Sequence, residues 1–582
     1  MDRLANYSIA VFVALSLIAL LLPNHYYPWA NFNQEFLSYL GLLLLAAGLV
    51  IAIKSISAPQ TGLIVAAVAL LPILQYASSV IFFWGDAFLA FGYIASLALA
   101  IVVGHNWQQQ AASKPSQLIN PLNALMGYLL AAAVLSTGIA IYQWLGLNNL
   151  GYLIVDIGPG VTPGGNLSQR NNFGSLASLG IVAAFYFKQR KILSLPTLIL
   201  LVAFLTLGLA ICQSRTPWLI GLCSITWIFI QRKTLANSGQ MLISLLALVL
   251  FYLLLTLLVL PVLADGLLLS HDSYLRSATI GGRGVLWSSL ISAVFSGDWF
   301  GYGWAQVAVA QMAIGDHFTN STFTEYSHNL FLDLLLWNGP ILGLILIAMI
   351  VSWAYRQVKN CRCENHVFVL WAIGALAVHS MLEYPFAYAY FLLPVGLLIG
   401  AAESFSDARR WSIKRPRLVS IPLLAIFSFV LVLVFRDYQI AEAKHRQMRF
   451  ASAGFVGAEK MHVPAGDILL LTQLSHFLSF TVTLARENMS DAELEAMGKV
   501  VSRYGYPPSL FRYALALGLN GRPIEAQRIM AVLQNTTNAE IYAEAFDNWA
   551  SMAERYPQLS QVMPPPIDIL RLKQALANKP HR

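Results

Sequence analysis

Residues 326–355 read YSHNLFLDLLLWNGPILGLILIAMIVSWAY. The polar quartet Tyr326-Ser327-His328-Asn329 ends a long polar loop, and the positions after it are almost wholly apolar. A helix through that run is long enough to cross the hydrocarbon core of a bilayer, which takes about 20 residues. Similar runs recur along the first 435 residues. Of 582 residues, 57% are hydrophobic and 11% charged, against roughly a quarter charged in a soluble domain, and mean hydropathy is +0.63. A polytopic membrane protein is expected. The run at 8–22 is followed by further spans and by no Ala-x-Ala-like site, so it reads as a first helix and not as a signal peptide.

Spans of about 20 residues are expected at 8–22, 37–53, 62–83, 87–104, 122–145, 173–187 and 193–212. Six more fall at 217–231, 241–263, 329–355, 366–382, 387–404 and 419–435, which gives an all-α bundle of about 13 transmembrane helices. The formal charge of +8 is dispersed between spans and is not a nucleic-acid footprint, so no nucleic-acid partner is expected. Lys54, Lys114, Lys188 to Lys191, Arg232-Lys233, Arg356/Lys359/Arg362 and Arg409 through Arg417 fall in every second loop. That alternation fits the positive-inside rule, with the N-terminus cytoplasmic and the tail after Arg436 on the outer side.

Three outer insertions stand out: a Gly/Pro/Asn-rich loop at 146–172, the longest loop at 265–328, and the tail at 436–582. The domain division is therefore a transmembrane part, 1–435, and an outer helical part, 436–582. Within the long loop, Val285 to Phe295 is amphipathic and suited to lie along the membrane surface. In the tail, Ser490-Asp491-Ala492-Glu493 reads as a capping box. Phe511 to Gly518, then Asn520-Gly521-Arg522-Pro523, reads as helix-turn-helix, much like one tetratricopeptide unit. Cys212 and Cys223 fall near apolar helix ends, Cys361 and Cys363 in a predicted cytoplasmic loop, and none follows, so the tail is expected to have no disulfide.

Three outer arginines suggest chemistry. Arg215, in Gln213-Ser214-Arg215-Thr216-Pro217, lies in a very short connection where positive charge runs against the topology rule; snorkelling to headgroups is the plainer reading. Arg283 stands between Gly282 and Gly284, where backbone N–H groups and a guanidinium can approach one anion together, or where a turn simply exposes a charge. Arg170 sits at a helix entrance. Guanidinium forks suit phosphate, and three of them can hold a diphosphate without metal. No Asp-x-Asp pair or His-rich zinc spacing occurs in the outer loops; neither metal nor cofactor is expected. His379 and Glu383 supply two ligands at most and read better as a hydrogen-bonded pair lining a cavity. His328 is either a solvated helix-start residue or a base, since an ordinary imidazole pKa near 6.5 suits removal of a hydroxyl proton. Glu325 and Asp333 are close enough in sequence to orient it.

Gly281-Gly282-Arg283-Gly284-Val285-Leu286-Trp287, Phe300-Gly301-Tyr302-Gly303-Trp304, Ser327-His328-Asn329-Leu330-Phe331-Leu332 and Asn338-Gly339 together resemble the bacterial O-antigen ligase and polymerase superfamily. Ser168-Gln169-Arg170-Asn171-Asn172, His379 to Pro385 and the helical tail look more like its protein O-oligosaccharyltransferase branch, which includes pilin glycosylases. The resemblance implies transfer of a glycan from undecaprenyl diphosphate to a Ser or Thr hydroxyl of a pilin or other periplasmic protein. It also implies a bacterial inner-membrane protein whose active site, long loop and helical domain face the periplasm. By position, His328 matches the family's catalytic His, Arg215 and Arg283 its diphosphate-contacting arginines, and Gln169 and Tyr384 residues implicated in glycan transfer. The alternatives are a ligase or polymerase acting on a glycan acceptor, and a lipid-linked glycan transporter. A transporter would show internal repeats and midplane charges, whereas these polar residues cluster on one side.

Overall fold

The computed structural model describes residues 2–115, 117–147, 149–158, 161–267, 283–318, 323–405 and 412–577. They fall into two compact units. The first comprises Met1–Leu70, Gly92–Thr279 and Met349–Phe435; the second comprises Leu71–Phe91, Ile280–Ala348 and Arg436–Arg582. The tail thus clusters with two earlier segments of the chain.

Every predicted span holds a helix, and among the described residues nine helices are long and apolar enough to cross a membrane. Thr216–Ile230 and Ala389–Phe405 are apolar but short. Arg170–Gln189 carries Asn171, Asn172, Ser175 and Ser178, and Glu364–Ser380 is 17 residues long. The expected span at 62–83 is broken into Gln60–Val68 and Leu71–Ala77. Pro72, in the first turn of the second piece, has no N–H to continue the first. The last predicted span runs past 435 as one helix, Ser420–Ser452. Its apolar pattern ends there, but Ala, Glu, Lys, Gln and Arg keep the backbone helical. The all-α expectation misses a two-stranded ribbon in which Ser55–Pro59 pairs antiparallel with Ser412–Pro416, Ser57 opposite Lys414. Asn106 clamps it by accepting from Ser57 N at 2.9 Å and donating to Ser57 O at 2.7 Å.

In the first unit the helix Trp84–Ser113 and the helix Ala389–Phe405 touch backbone to backbone. A Cβ on Gly104 would stand 2.1 Å from Leu397 O, and one on Gly400 would stand 2.1 Å from Ile101 O. Gly396 and Gly400 form a small-xxx-small pair, a spacing that brings membrane helices together by van der Waals packing where no hydrophobic force acts between them. Trp107, fully buried nearby in the same core, finds a partner for its indole N–H in Ile119 O at 2.9 Å.

The second unit is organised by a break in the helix Leu330–Lys359. Gly339 has φ 74° and ψ 171°, and Pro340 follows. Pro340 has no N–H to offer the Leu336 carbonyl, so that carbonyl accepts from Tyr302 N at 2.8 Å. Trp337 O accepts from Gly303 N at 3.1 Å and from Gln75 Nε2 at 2.8 Å. Gly301 and Gly303 sit at φ 74° and 91°, which a side chain would oppose. A Cβ on Gly339 would meet Trp299 O at 1.9 Å. Trp304 stacks on Trp337 with centroids 4.7 Å apart and donates its indole N–H to Asn338 Oδ1 at 2.9 Å.

The tail's helices Asp491–Arg503, Pro507–Leu519, Pro523–Thr536 and Ala539–Arg555 share a core that includes Leu494, Leu510, Met530 and Trp549. The capping box is formed as the sequence suggests: Glu493 N donates to Ser490 Oγ at 3.3 Å and Ser490 N to Glu493 Oε2 at 2.8 Å. Arg486 and these Ser490 donors pull the Glu493 carboxyl down to about 2.

Gly400→Val is expected to abolish recovery of monodisperse protein in detergent, because the clash is with backbone. The Glu493 pKa is lower in the fold than in the unfolded chain, so its contribution is full above the unfolded value near 4.5 and fades as pH falls towards 2. The melting-temperature gap between the parent and Glu493→Gln should therefore be widest at pH 6 and shrink measurably by pH 3.

Candidate active site

In the first unit the loop before Arg170 is fixed before it delivers a helix. Gln143 donates to Val155 O at 2.9 Å and accepts from Gly165 N at 2.9 Å. Asn166 donates to Leu21 O at 2.7 Å and Leu153 O at 2.9 Å while accepting from Val155 N. Ser168 then takes φ 57°, and Gln169 starts the helix Arg170–Gln189. Asn171, Asn172 and Ser175 each bond to another element of the unit. Asn171 Nδ2 donates to Glu383 Oε1 at 2.6 Å, and Asn171 Oδ1 accepts from Ser214 Oγ at 2.7 Å. Asn172 Nδ2 donates to Tyr390 OH at 3.1 Å, and Ser175 Oγ lies 2.8 Å from His379 Nδ1. Tyr390 stacks on Tyr388 with centroids 5.2 Å apart, and Tyr388 on Tyr384 at 5.9 Å.

Gln169, Arg170, Arg215, His379, Glu383 and Tyr384 are thereby tied to one helix entrance. Arg170 and Arg215 are exposed, Tyr384 is half-buried, and His379 and Glu383 are buried. Gln169 Oε1 is buried without a hydrogen-bond partner. An orphan buried acceptor costs free energy unless something else satisfies it. His379 lies in the last turn of the helix Glu364–Ser380 and Glu383 just beyond it; Glu383 N donates to His379 O at 2.8 Å, and each side chain also engages a residue of Arg170–Gln189.

In the second unit Arg283 is the first residue of the helix Arg283–Ser296. Gly281 and Gly282, which the sequence places beside it, lie outside the described residues. Trp287 is one turn on, and its indole N–H donates to Ser327 O at 2.8 Å. Residues four apart share a helix face, so the helix that Arg283 begins is bonded through Trp287 to the residue before His328. Ser327 N donates to Asp333 Oδ1 at 2.8 Å, and Asn329 N donates to Ser327 Oγ at 3.2 Å. Asn329 Oδ1 caps the following helix, accepting from Phe331 N at 3.0 Å and Leu332 N at 3.2 Å. Between these bonded neighbours His328 is half-buried and held at φ 61°. Left-handed backbone at a non-Gly residue persists only when surroundings over-determine it, and such residues gather at functional sites.

Asp333 supports His328 by way of the Ser327 backbone. Glu325 is occupied elsewhere, accepting from Tyr506 OH at 3.1 Å. Sequence reading left Asn171, Asn172, Ser175, Ser214 and Tyr390 without roles. The polar residues 171, 172, 175 and 178 recur at helical spacing within an otherwise apolar run, and that stripe was the available signal. Among the described residues no group of three or more His, Cys, Asp or Glu is arranged to hold a metal ion.

Residues 367–555 match a family described as virulence factor membrane-bound polymerase, C-terminal. The chain is also similar to a general O-oligosaccharyltransferase of Acinetobacter baylyi, 27% identical over 553 residues, covering 91% of this chain and 93% of that protein. A ComP-specific O-oligosaccharyltransferase of the same organism is 28% identical over 403 residues, covering 68% of this chain and 71% of the relative. A match that runs the length of both chains ties the membrane helices and the tail to one lineage. The chain is thus similar over most of its length to proteins named O-oligosaccharyltransferases.

Proposed function

We propose that the chain, a glycosyltransferase, moves a glycan en bloc from undecaprenyl diphosphate to a Ser or Thr hydroxyl of a pilin or other periplasmic protein. The observation that carries this reading is the bracing of His328: Trp287 and Asp333 fix Ser327 on one side, and Asn329 caps a helix on the other. A group fixed in this way needs little reorganisation when the substrate arrives.

His328 accepts the proton of the acceptor hydroxyl as its oxygen attacks the anomeric carbon. The bond from that carbon to the diphosphate oxygen breaks, and the electron pair leaves with the diphosphate. Arg283, Arg170 and Arg215 supply the fixed positive charge that the leaving group needs. Gln169 and Tyr384 contribute polar contacts to the sugar, with His379 and Glu383 holding the helix entrance that presents them. Direct displacement inverts the configuration at the anomeric carbon. The protein lies in the bacterial inner membrane with this chemistry on the periplasmic side, where secreted acceptors and lipid-linked glycans meet.

The family match over 367–555 favours a second reading, polymerisation of glycan units, in which the acceptor hydroxyl belongs to a sugar. Supplying purified enzyme and lipid-linked glycan with and without a periplasmic acceptor protein separates the two. Glycan ladders without protein acceptor would displace the first reading.

His328→Ala should lower the transfer rate by roughly 10²–10⁴-fold, the range of a lost general base, with donor binding kept; an unchanged rate removes the base. Arg283→Lys replaces a planar fork by a point charge and should raise the donor KM about tenfold while the acceptor KM stays within about twofold, measured by titrating each substrate in turn. The reverse pattern would assign Arg283 to the acceptor.

A further inference from the structure

The turn between the tail helices Asp491–Arg503 and Pro507–Leu519 does more than join them. Arg503 is buried, and its Nε and Nη2 lie 3.3 Å from the carboxylate oxygens of Asp86, which is also buried. Its Nη1 is 4.0 Å from Glu325 Oε2. Gly505 packs against Phe323, where a Cβ would stand 2.9 Å from the ring. The Tyr506 ring meets Phe323 edge-on with centroids 5.3 Å apart, and its hydroxyl donates to Glu325 Oε1 at 3.1 Å. The strand of chain they grip is short. Thr324 N donates to Gln311 Oε1 at 3.0 Å, Thr324 Oγ1 donates to Tyr326 O at 2.7 Å, and Ser327 and His328 follow at once. Every residue named belongs to the second unit.

We infer that Tyr506, acting through Glu325, is a positioning residue for His328, so that the tail is part of the catalytic machinery and not solely a surface for the acceptor. The inference rests on the reading of His328 as the base. Its physical content is leverage. His328 occupies a left-handed backbone well that an L-residue disfavours, and its segment has to be held from both ends. Trp287 and Asp333 hold the C-terminal end of 323–328. Arg503, Gly505 and Tyr506 hold the N-terminal end. Releasing one end lets the imidazole wander from the hydroxyl, and a displacement of about 1 Å can cost 10²-fold in rate.

Arg503 is the wrong residue to test. Removing it strands Asp86 as a buried uncompensated carboxylate, which destabilises the fold on its own account. Tyr506→Phe removes one hydroxyl and keeps the ring on Phe323. Full-length protein in detergent, with an undecaprenyl-diphosphate-linked glycan and a periplasmic acceptor protein, should show kcat reduced at least tenfold in Tyr506→Phe. Donor KM should stay within twofold and the melting midpoint should be unchanged. Glu325→Ala should match it, and Glu325→Gln, which retains an acceptor for the Tyr506 hydroxyl, should recover most of the rate. The double variant Tyr506→Phe/Glu325→Ala should be no slower than either single one. Parent kcat in both Tyr506→Phe and Glu325→Ala, or a rise in donor KM at constant kcat, overturns the inference. His328→Ala run alongside separates the two failures. If it is inactive while Tyr506→Phe is normal, only the positioning role falls; if it is fully active, the base assignment falls and the positioning role with it.

Discussion

A carbonyl set free inside an apolar helix has to find another donor, and much of the second unit follows from that requirement. Gly339 and Pro340 interrupt the helix Leu330–Lys359, and the freed Leu336 and Trp337 carbonyls are met by Tyr302, Gly303 and Gln75. Meeting them fixes the Gly301-Tyr302-Gly303-Trp304 segment, whose Trp304 then stacks on Trp337. The start of the same helix is capped by Asn329 directly after His328. One interrupted helix thus fixes the Gly301-to-Trp304 segment at its break and, at its start, the residue that follows the proposed base. Orphaned backbone groups cost several kcal/mol each in an apolar medium, so such a break survives only when its partners are built in.

The first unit applies the same requirement to side chains. A helix carrying two asparagines and a serine at its entrance can lie among apolar neighbours because each finds a partner: Glu383 and Ser214 for Asn171, Tyr390 for Asn172, His379 for Ser175. These bonds fix rotamers as well as satisfying charge and dipole. They turn a row of amide and hydroxyl groups into a rigid frame around Gln169, Arg170 and Arg215.

Much of this was legible in the sequence, for identifiable reasons. Helix positions came from apolar runs, and the capping box at Ser490 and Glu493 from local chemistry that needs no tertiary context. The His328 and Arg283 motifs could be read together because their order along one long loop resembles a known superfamily, and the bond from Trp287 to Ser327 was visible only in the fold. What escaped depended on contacts distant in sequence. The ribbon of Ser55–Pro59 with Ser412–Pro416 joins segments more than 300 residues apart, and each is only five residues long. The break at 69–70 and the continuation of the last span to Ser452 both lie where helix propensity and hydropathy disagree. Asn171 and Asn172 were visible as a polar stripe, but their partners Glu383, Ser214 and Tyr390 come from elements that only the fold assembles. The grip of Tyr506 on Glu325 is of the same kind.

The left-handed backbone at His328 has a consequence for how this position tolerates change. Glycine would relieve the strain there, by about 1 kcal/mol or more, so a screen for thermal stability alone would reward loss of the imidazole. With His328 as the proposed base, stability and activity pull in opposite directions at one residue. Variants selected for robustness in detergent would then include well-behaved proteins that no longer transfer glycan, and a high melting temperature would be no guide to a working enzyme.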